Sequence, residues 1–295
     1  MQPPSVRSCN LNCRSIRRGI TLLEVLTALA VVGLLLAMLL PAVQQVRGLM
    51  QRVHCSSNLK QIMLAHHNYY DAHGVFAGNY PGFGWHGRVA RYLEADFERH
   101  VSPVFRCPSD PESIGFWALN QSYQANHGTG RAPADGFIGM GKWSRTADFK
   151  DGLSTTAAVA ERLSAPWLLG HGDVNWDDNP QYWNRRVRFM PYVGDNLQTI
   201  VEHFRNVKGD PSPIGYAENF YTHVMPPNGQ SCSNGHVATL GGSGRPFAAP
   251  PTSLHRGGAN IAFADGAVRF VVNEIDLTVW WALGTRAGGE TIGEF

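Results

Sequence analysis

The sequence predicts an α+β protein, with one long N-terminal helix packed on a β-rich globular domain. An apolar run over residues 20–43 is long enough for a membrane-spanning helix, and apolar stripes at helical spacing follow it. Beyond Gly74, aromatic, glycine and proline residues are scattered without a helical period, which is typical of short strands and turns. The 295 residues are 16% charged and contain no heptad array, collagen repeat or long low-complexity tract.

The apolar run predicts a single membrane span with a defined orientation. Residues 1–19 carry four arginines and no acid, whereas the 24 residues of 20–43 carry one charge, Glu24. A helix of that length spans about 36 Å, enough to cross a hydrocarbon core of about 30 Å. Because the arginines precede the span, we expect a cytoplasmic N-terminus, a span in the cytoplasmic (inner) membrane and a periplasmic or cell-surface domain. A cleaved signal peptide is the alternative, but its A-L-A site at 28–30 lies in the middle of the run.

Glu24 is unusual, because a carboxylate inside an apolar span is costly and is functional by default. It lies in the segment Gly19-Ile20-Thr21-Leu22-Leu23-Glu24-Val25. This segment resembles the prepilin processing motif of type IV pilins and type II secretion pseudopilins, with Ile20 where the family usually has phenylalanine. The resemblance implies cleavage between Gly19 and Ile20 by a prepilin peptidase/methyltransferase, methylation of the new amine, and other pilin-like subunits as partners.

That cleavage would give Glu24 a physical role. In an assembled filament its carboxylate would pair with the Ile20 ammonium of a neighbouring subunit, which offsets the burial of both charges. The alternative is an isolated glutamate that stays protonated in lipid. The predicted organisation is therefore a leader over residues 1–19, a helix over 20–73 and an extracytoplasmic β-rich domain over 74–295.

Two apolar stripes continue the helix beyond the span. The first comprises Val43, Val46, Met50 and Val53, and the second, nearly opposite, comprises Leu59, Ile62, Met63, His66 and Tyr70. Either one continuous helix turns its first half to lipid or to other subunits and its second half to its own domain, or the helix breaks at Ser56-Ser57 between the stripes. His73-Gly74 predicts the end of the helix.

Short sequence blocks distinguish the rest of the chain. They are C-S-S-N-L-K-Q-I (55–62), H-N-Y (67–69), D-A-H-G-V-F (71–76), C-P-S-D (107–110), D-G-L-S-T-T (151–156) with Glu161, H-V-M-P-P-N (223–228) with Cys232, L-G-T-R-A-G-G-E (283–290), and an H-x9-D-G motif formed by His255, Asp265 and Gly266. Together they resemble a large bacterial family of prepilin-like proteins with a domain of unknown function. The similarity is thinnest over residues 165–215. The family carries no assigned activity, so the resemblance implies none.

Residue chemistry alone gives several of these positions a structural role. Asp265-Gly266 lies between alternating arms within residues 259–272 and predicts a β-hairpin with a type I′ turn. His255 follows a proline-rich loop, and we expect it to form a buried hydrogen bond rather than to catalyse a reaction. Asp276 predicts the N-cap of a short helix over residues 277–283.

The mature chain keeps three cysteines, Cys55, Cys107 and Cys232, because the other two lie in the leader. An extracytoplasmic domain permits a disulfide, and three single pairings are open. We favour Cys55–Cys107, which would tie the helix to the sheet, over Cys107–Cys232. No C-x-x-C spacing occurs, so neither a zinc ribbon nor a thioredoxin-type site is predicted.

Asp173, Asn175 and Asp177 alternate as the oxygen ligands of a calcium loop do. The loop lacks the glycine that an EF-hand needs at its sixth position, and Asn184 stands where the terminal glutamate belongs. The pattern argues against an EF-hand and leaves a looser Ca²⁺ site open, with these three residues as its candidate ligands. The sequence predicts no other cofactor.

The sequence therefore predicts a non-enzymatic pilin-like or pseudopilin-like subunit for filament or secretion-system assembly. No H-E-x-x-H, G-x-S-x-G or Walker motif supports an enzyme. Loss of the four leader arginines changes the formal net charge from +2 to −2, which argues against nucleic acid as a partner. The alternative is a membrane-tethered domain that binds a solute or glycan in a tryptophan-lined cleft and never polymerises.

Overall fold

The protein combines one long apolar helix with a mixed sheet in a globular unit, which confirms the predicted α+β class. The chain divides into two compact units, residues 1–47 and 48–295. A computed structural model describes residues 21–78, 84–93, 102–111, 121–129, 134–139, 143–164, 187–206, 220–235, 247–290 and 292–293.

Helix α1 runs from Leu22 to His73 without interruption, so the continuous-helix interpretation is correct and a break at the two serines is wrong. The helix ends at the predicted position. The Gly74 N–H donates to the Tyr70 carbonyl at 2.7 Å. Gly74 has a φ of +69°, a left-handed conformation that glycine adopts without strain at a helix end.

The two halves of α1 differ in burial as the two stripes predict. In the described part of the first unit the large apolar side chains are exposed. The first along the helix is Leu22, at 79%, and the last is Val46, at 58%. In the globular unit the second stripe is buried at Leu59, Ile62, Met63 and His66. Tyr70 is half-buried, and its neighbour Tyr69 packs more deeply.

Within the described residues, the main sheet comprises β1 (Tyr123–Asn126), β2 (Ala157–Glu161), β4 (Phe220–Tyr221), β7 (Gly258–Phe263) and β8 (Val268–Val272). Their order across the sheet is β4-β1-β2-β7-β8. All neighbouring pairs are antiparallel except β1 and β4, which are parallel. The central strands β2 and β7 are buried along their whole length, so residues of both faces contribute to the core.

The remaining elements of the described segments are short. They are α2 (Trp85–Ala90), two 3-10 turns (Pro103–Phe105 and Thr146–Asp148), β3 (Val187–Met190), α3 (Leu197–Asn206), β5 (Ser231–Asn234), β6 (Phe247–Ala248) and α4 (Leu277–Gly284). Strands β3, β5 and β6 form a second, three-stranded sheet. Ile200, Val201 and Phe204 of α3 pack with Cys232 in a separate small core.

The hairpin predicted at Asp265-Gly266 is present between β7 and β8, but its turn type is not the predicted one. A type I′ turn needs a positive φ at both central residues, and Asp265 has none. The Gly266 N–H donates to the Phe263 carbonyl at 2.9 Å, and Gly266 has a φ of +90°. The connection is therefore a type I turn followed by a left-handed glycine, which closes a three-residue loop. The sequence pattern places Val268, Phe270 and Val272 on one face of β8. The structure instead buries Val271 and exposes Val272, so the alternation is displaced at that end.

Asp276 is the N-cap of α4, as predicted. Its Oδ1 accepts the Thr278 N–H at 2.8 Å and the Val279 N–H at 3.2 Å. Hydrogen bonds from the Thr278 hydroxyl and from these two N–H groups lower the pKa of the Asp276 carboxyl. The cap fixes the start of the helix that places Trp280 in the core, where its Nε1 donates to the Met225 carbonyl at 2.8 Å.

Candidate functional site

Glu24 lies in a capping box at the start of α1. Its Oε2 accepts the Thr21 N–H at 2.8 Å and the Thr21 hydroxyl at 2.9 Å. The Glu24 N–H donates in turn to the Thr21 hydroxyl oxygen at 3.3 Å. The T-L-L-E segment therefore satisfies its own helix terminus, a signal that the sequence contains and that the pairing and protonation hypotheses both overlooked.

A second site lies inside the globular unit, where Cys55 of α1 forms a disulfide with Cys107, which follows the first 3-10 turn. The two Cα atoms are 5.4 Å apart. This is the pairing favoured from the sequence, and the buried Cys232 takes no part in it. Asn58 supports the junction, because its Nδ2 donates to the Arg106 carbonyl at 3.0 Å.

Two further side chains from family blocks meet at this disulfide. His255 Nε2 lies 3.2 Å from Glu161 Oε1 and 3.9 Å from Cys107 Sγ. Both side chains are almost fully buried. We call Cys55, Cys107, Glu161 and His255 the four-residue cluster; one sulfur, oxygen or nitrogen atom from each lies within 4.8 Å of all the others.

Surrounding residues hold the four-residue cluster in place. The Asn260 backbone N–H donates to Glu161 Oε2 at 2.8 Å, and the Asn260 Nδ2 donates to Oε1 at the same distance. Asp110 of the C-P-S-D block accepts the Ser164 N–H and hydroxyl through Oδ2, both at 2.9 Å. The segment that follows β2 is thus bound to the cysteine-bearing segment.

His223 is a buried packing residue of a different region. Its Nδ1 lies 2.8 Å from the Trp280 carbonyl and its Nε2 lies 3.2 Å from the Tyr221 hydroxyl. Its ring stacks on the Trp280 ring with centroids 3.8 Å apart. Desolvation lowers the pKa of His223 to about 3, so the ring is neutral at pH 7.

Gly284→Ala is expected to destabilise the globular unit by about 1–3 kcal/mol, the usual cost of overpacking a core. A Cβ at this position would overlap the Cβ and Cγ atoms of His223. Gly48→Ala, in α1, is the matched control because nothing lies within 4 Å of its added Cβ. Urea titration of both variants checks this, and equal midpoints would contradict it.

Asp151 joins the D-G block to the C-terminal block. Its Oδ2 accepts the Gly288 N–H at 2.6 Å and its Oδ1 accepts the Gly289 N–H at 2.9 Å. The Arg286 N–H donates to the Asp135 carbonyl at 2.9 Å. These contacts give the blocks over residues 151–156 and 283–290 a structural role, which is separate from the four-residue cluster.

Several predicted site residues lie outside the described residues. They are the cleavage positions Gly19 and Ile20 and the calcium candidates Asp173, Asn175 and Asp177. Asp265 and Gly266 lie in the hairpin turn, away from any assembled set of side chains that we identify. Among the H-x9-D-G residues, only His255 belongs to the four-residue cluster.

Comparison with known proteins places these residues in a family. Residues 44–96 and 86–278 match the family model described as a protein of unknown function (DUF1559). The chain belongs to this family. Residues 14–40 also match the prokaryotic N-terminal methylation motif. No curated protein and no solved structure matches the chain.

The structure of the N-terminal helix agrees with the match to the methylation motif. Within the described residues, one helix, α1, is long and apolar enough to span a membrane, and its most apolar stretch is not buried in the protein. Together with the methylation motif, this helix identifies a membrane-anchored, prepilin-type protein that a prepilin peptidase processes. The four-residue cluster was not predicted as a unit, because its members are distant in sequence and share no spacing.

Proposed function

We propose that this DUF1559 protein is a non-enzymatic pilin-like subunit that assembles through α1 into a filament or a secretion-system pseudopilus. The observation that carries the proposal is the uncovered apolar surface of α1, which begins at Leu22 inside the processing motif and extends to Val46. Such a surface is stable in lipid before assembly and against neighbouring apolar helices afterwards. The globular unit would then lie outside the cytoplasm, where its disulfide is chemically appropriate.

Processing is tested on the protein extracted from the membranes of its native host. We expect a chain that begins at Ile20 and is heavier by one methyl group, measured by intact mass and by N-terminal sequencing. A chain that begins after Ala30, or that retains Met1, would contradict the proposal and leave a secreted or simply anchored domain.

Substitutions of Glu24 test whether its charge or its capping geometry matters for assembly. Glu24→Gln keeps the capping box, since glutamine also accepts from Thr21, but removes the charge needed for the Ile20 ammonium of a neighbouring subunit. We expect Glu24→Gln and Glu24→Ala to abolish assembly in membranes, measured by crosslinking, while Thr21→Val preserves it. Loss in Thr21→Val and Glu24→Ala but not in Glu24→Gln would assign a capping role instead. Unchanged assembly in all three variants would contradict the filament proposal.

One observation favours the tethered binding domain as a second candidate function. An open cleft of about 300 Å³ lies beside the end of α1 and is lined by Tyr69, His73, Gly87, Arg88, Arg91 and Tyr92. Its volume is at the lower end for small-molecule sites, and its two arginines suit an acidic solute. No tryptophan is among these lining residues, so the predicted tryptophan-lined cleft is not this one. Arg88→Ala with Arg91→Ala should abolish acidic-solute binding if this function holds.

A further inference from the structure

We propose that the four-residue cluster is a Zn²⁺ site in the reduced protein, so that the disulfide and the metal are alternative states of one site. Two cysteine sulfurs, one histidine nitrogen and one carboxylate oxygen are ligand types that Zn²⁺ accepts in a four-coordinate site. All four ligand atoms come within 4.8 Å of one another in the described structure. The ligands come from α1, the segment after the first 3-10 turn, β2 and the loop before β7.

The interatomic distances already resemble those around a tetrahedral zinc ion. Typical Zn–S, Zn–N and Zn–O bonds place a sulfur and a nitrogen about 3.6 Å apart, and a nitrogen and an oxygen about 3.3 Å apart. The corresponding distances are 3.9 Å from Cys107 Sγ to His255 Nε2 and 3.2 Å from His255 Nε2 to Glu161 Oε1. The separation between the two sulfurs must increase to about 3.8 Å once the disulfide is opened.

The disulfide does not explain why Glu161 and His255 lie beside it. A disulfide sulfur is at most a weak acceptor, so it gains nothing from a neighbouring carboxylate. Glu161 is nevertheless 2% exposed, and burying a carboxylate is costly unless something compensates it. Asn260 fixes both of its oxygens with two hydrogen bonds of 2.8 Å. Fixation of a ligand carboxylate by an outer residue is the usual arrangement around a protein-bound metal.

The change of state balances as a two-electron reduction followed by metal binding. A dithiol reductant transfers two electrons and two protons to the Cys55–Cys107 disulfide, which becomes two thiols while the reductant becomes a disulfide. Both thiols then lose their protons to solvent as the thiolates bind Zn²⁺. His255 must present the lone pair of Nε2, so its ring proton resides on Nδ1. Two thiolates and the Glu161 carboxylate leave the occupied site with a net charge of −1.

The test uses the full-length chain in detergent micelles, oxidised in one sample and reduced with a non-chelating reductant in the other. We expect the reduced chain to bind one Zn²⁺, measured by competition with a chromophoric chelator, and the oxidised chain to bind more than about 100-fold more weakly because two ligands are missing. Co²⁺ in place of Zn²⁺ should give a thiolate-to-metal charge-transfer band in the reduced sample. Failure of the folded, reduced chain to bind Zn²⁺ would overturn the proposal.

Two variants distinguish this site from nonspecific binding by loose thiols. Glu161→Gln preserves the size of the side chain but replaces a metal ligand. Loss of a residue that only supports a ligand weakens metal binding by about 10–100-fold, so we expect at least that loss of Zn²⁺ affinity here. Glu274→Gln, at an exposed position after β8, should bind as the wild type does. Equal Zn²⁺ affinity in the two variants would overturn the proposal. This holds even if reduction unfolds the chain, because thiols of an unfolded chain would bind Zn²⁺ without Glu161. Failure here leaves the assembly proposal untouched, because that proposal depends on α1 alone.

Discussion

Asn126→Asp is expected to destabilise the globular unit by about 3 kcal/mol or more, although the two side chains have nearly the same shape. The Asn126 Nδ2 donates to the Ala157 carbonyl at 2.7 Å and to the Gly284 carbonyl at 2.8 Å. Its Oδ1 accepts the Gly128 N–H at 2.6 Å. The substitution removes the side-chain donor from two buried carbonyl groups, at about 1–3 kcal/mol each, and directs a carboxylate oxygen at them.

This effect follows from the position of Asn126 at a junction of three segments. The residue is completely buried at the end of β1, and its amide joins β2 to the last residue of α4. Its own carbonyl accepts the Ile138 N–H at 3.0 Å. A single side chain therefore links elements that are far apart in sequence.

The free energy of unfolding of Asn126→Asp is measured by urea titration of the full-length chain in detergent, followed by tryptophan fluorescence. Buried Trp85 and Trp280 report on the globular unit. Asn68→Asp, at an exposed position of α1, is the matched control and should change the free energy of unfolding by less than about 0.5 kcal/mol. A loss in Asn126→Asp no larger than in the control would show that the junction does not limit stability.

The helix could be predicted from the sequence because its signals are local. The apolar run, the two stripes and His73-Gly74 all follow from residues within a few turns of one another, and the structure has the helix over Leu22–His73. The Asp276 cap and the β7–β8 hairpin are local as well. The turn type was wrong because Asp-Gly is compatible both with a type I′ turn and with a type I turn that ends in a left-handed glycine.

The four-residue cluster and the sheet order could not be predicted, because both are set by long-range packing. Cys55 and Cys107 are 52 residues apart, and sequence chemistry gives no reason to prefer one partner for His255 over another. Strand β4 has two residues, Phe220–Tyr221, which is too short for any periodicity to identify. Glu161 ends a strand whose five residues are all buried, so no alternation distinguishes it as a core carboxylate.

Acidification from pH 7.5 to pH 5 is expected to reduce the stability of the globular unit by several kcal/mol. Desolvation lowers the pKa of His66, His86 and His223 to about 3, and that of His127 to about 4. In the unfolded chain these rings titrate near pH 6.5. Between pH 6.5 and pH 4 the unfolded chain therefore binds protons that the folded chain does not, and the free energy of unfolding falls as the pH falls.

The size of this loss makes the globular unit sensitive to acid. Each such histidine contributes about 1.4 kcal/mol per pH unit in this interval, which amounts to about 2 kcal/mol at pH 5. Four of them approach about 8 kcal/mol, within the range of about 5–15 kcal/mol that stabilises a typical domain. Above about pH 7.5 the rings are neutral in both states, so stability should be independent of these groups there.

His66→Leu isolates one of these contributions. His66 is completely buried between Trp85 and Phe137, and within the described residues neither of its ring nitrogens has a hydrogen-bond partner. The variant should be at least as stable as the wild type at pH 7.5, because an unpaired buried polar group is removed, and it should lose about a quarter of the pH dependence. Urea titrations at half-unit pH steps measure both quantities. His54→Leu, at an exposed position of the same helix, should retain the full pH dependence, and an equal reduction in both variants would contradict the assignment to burial.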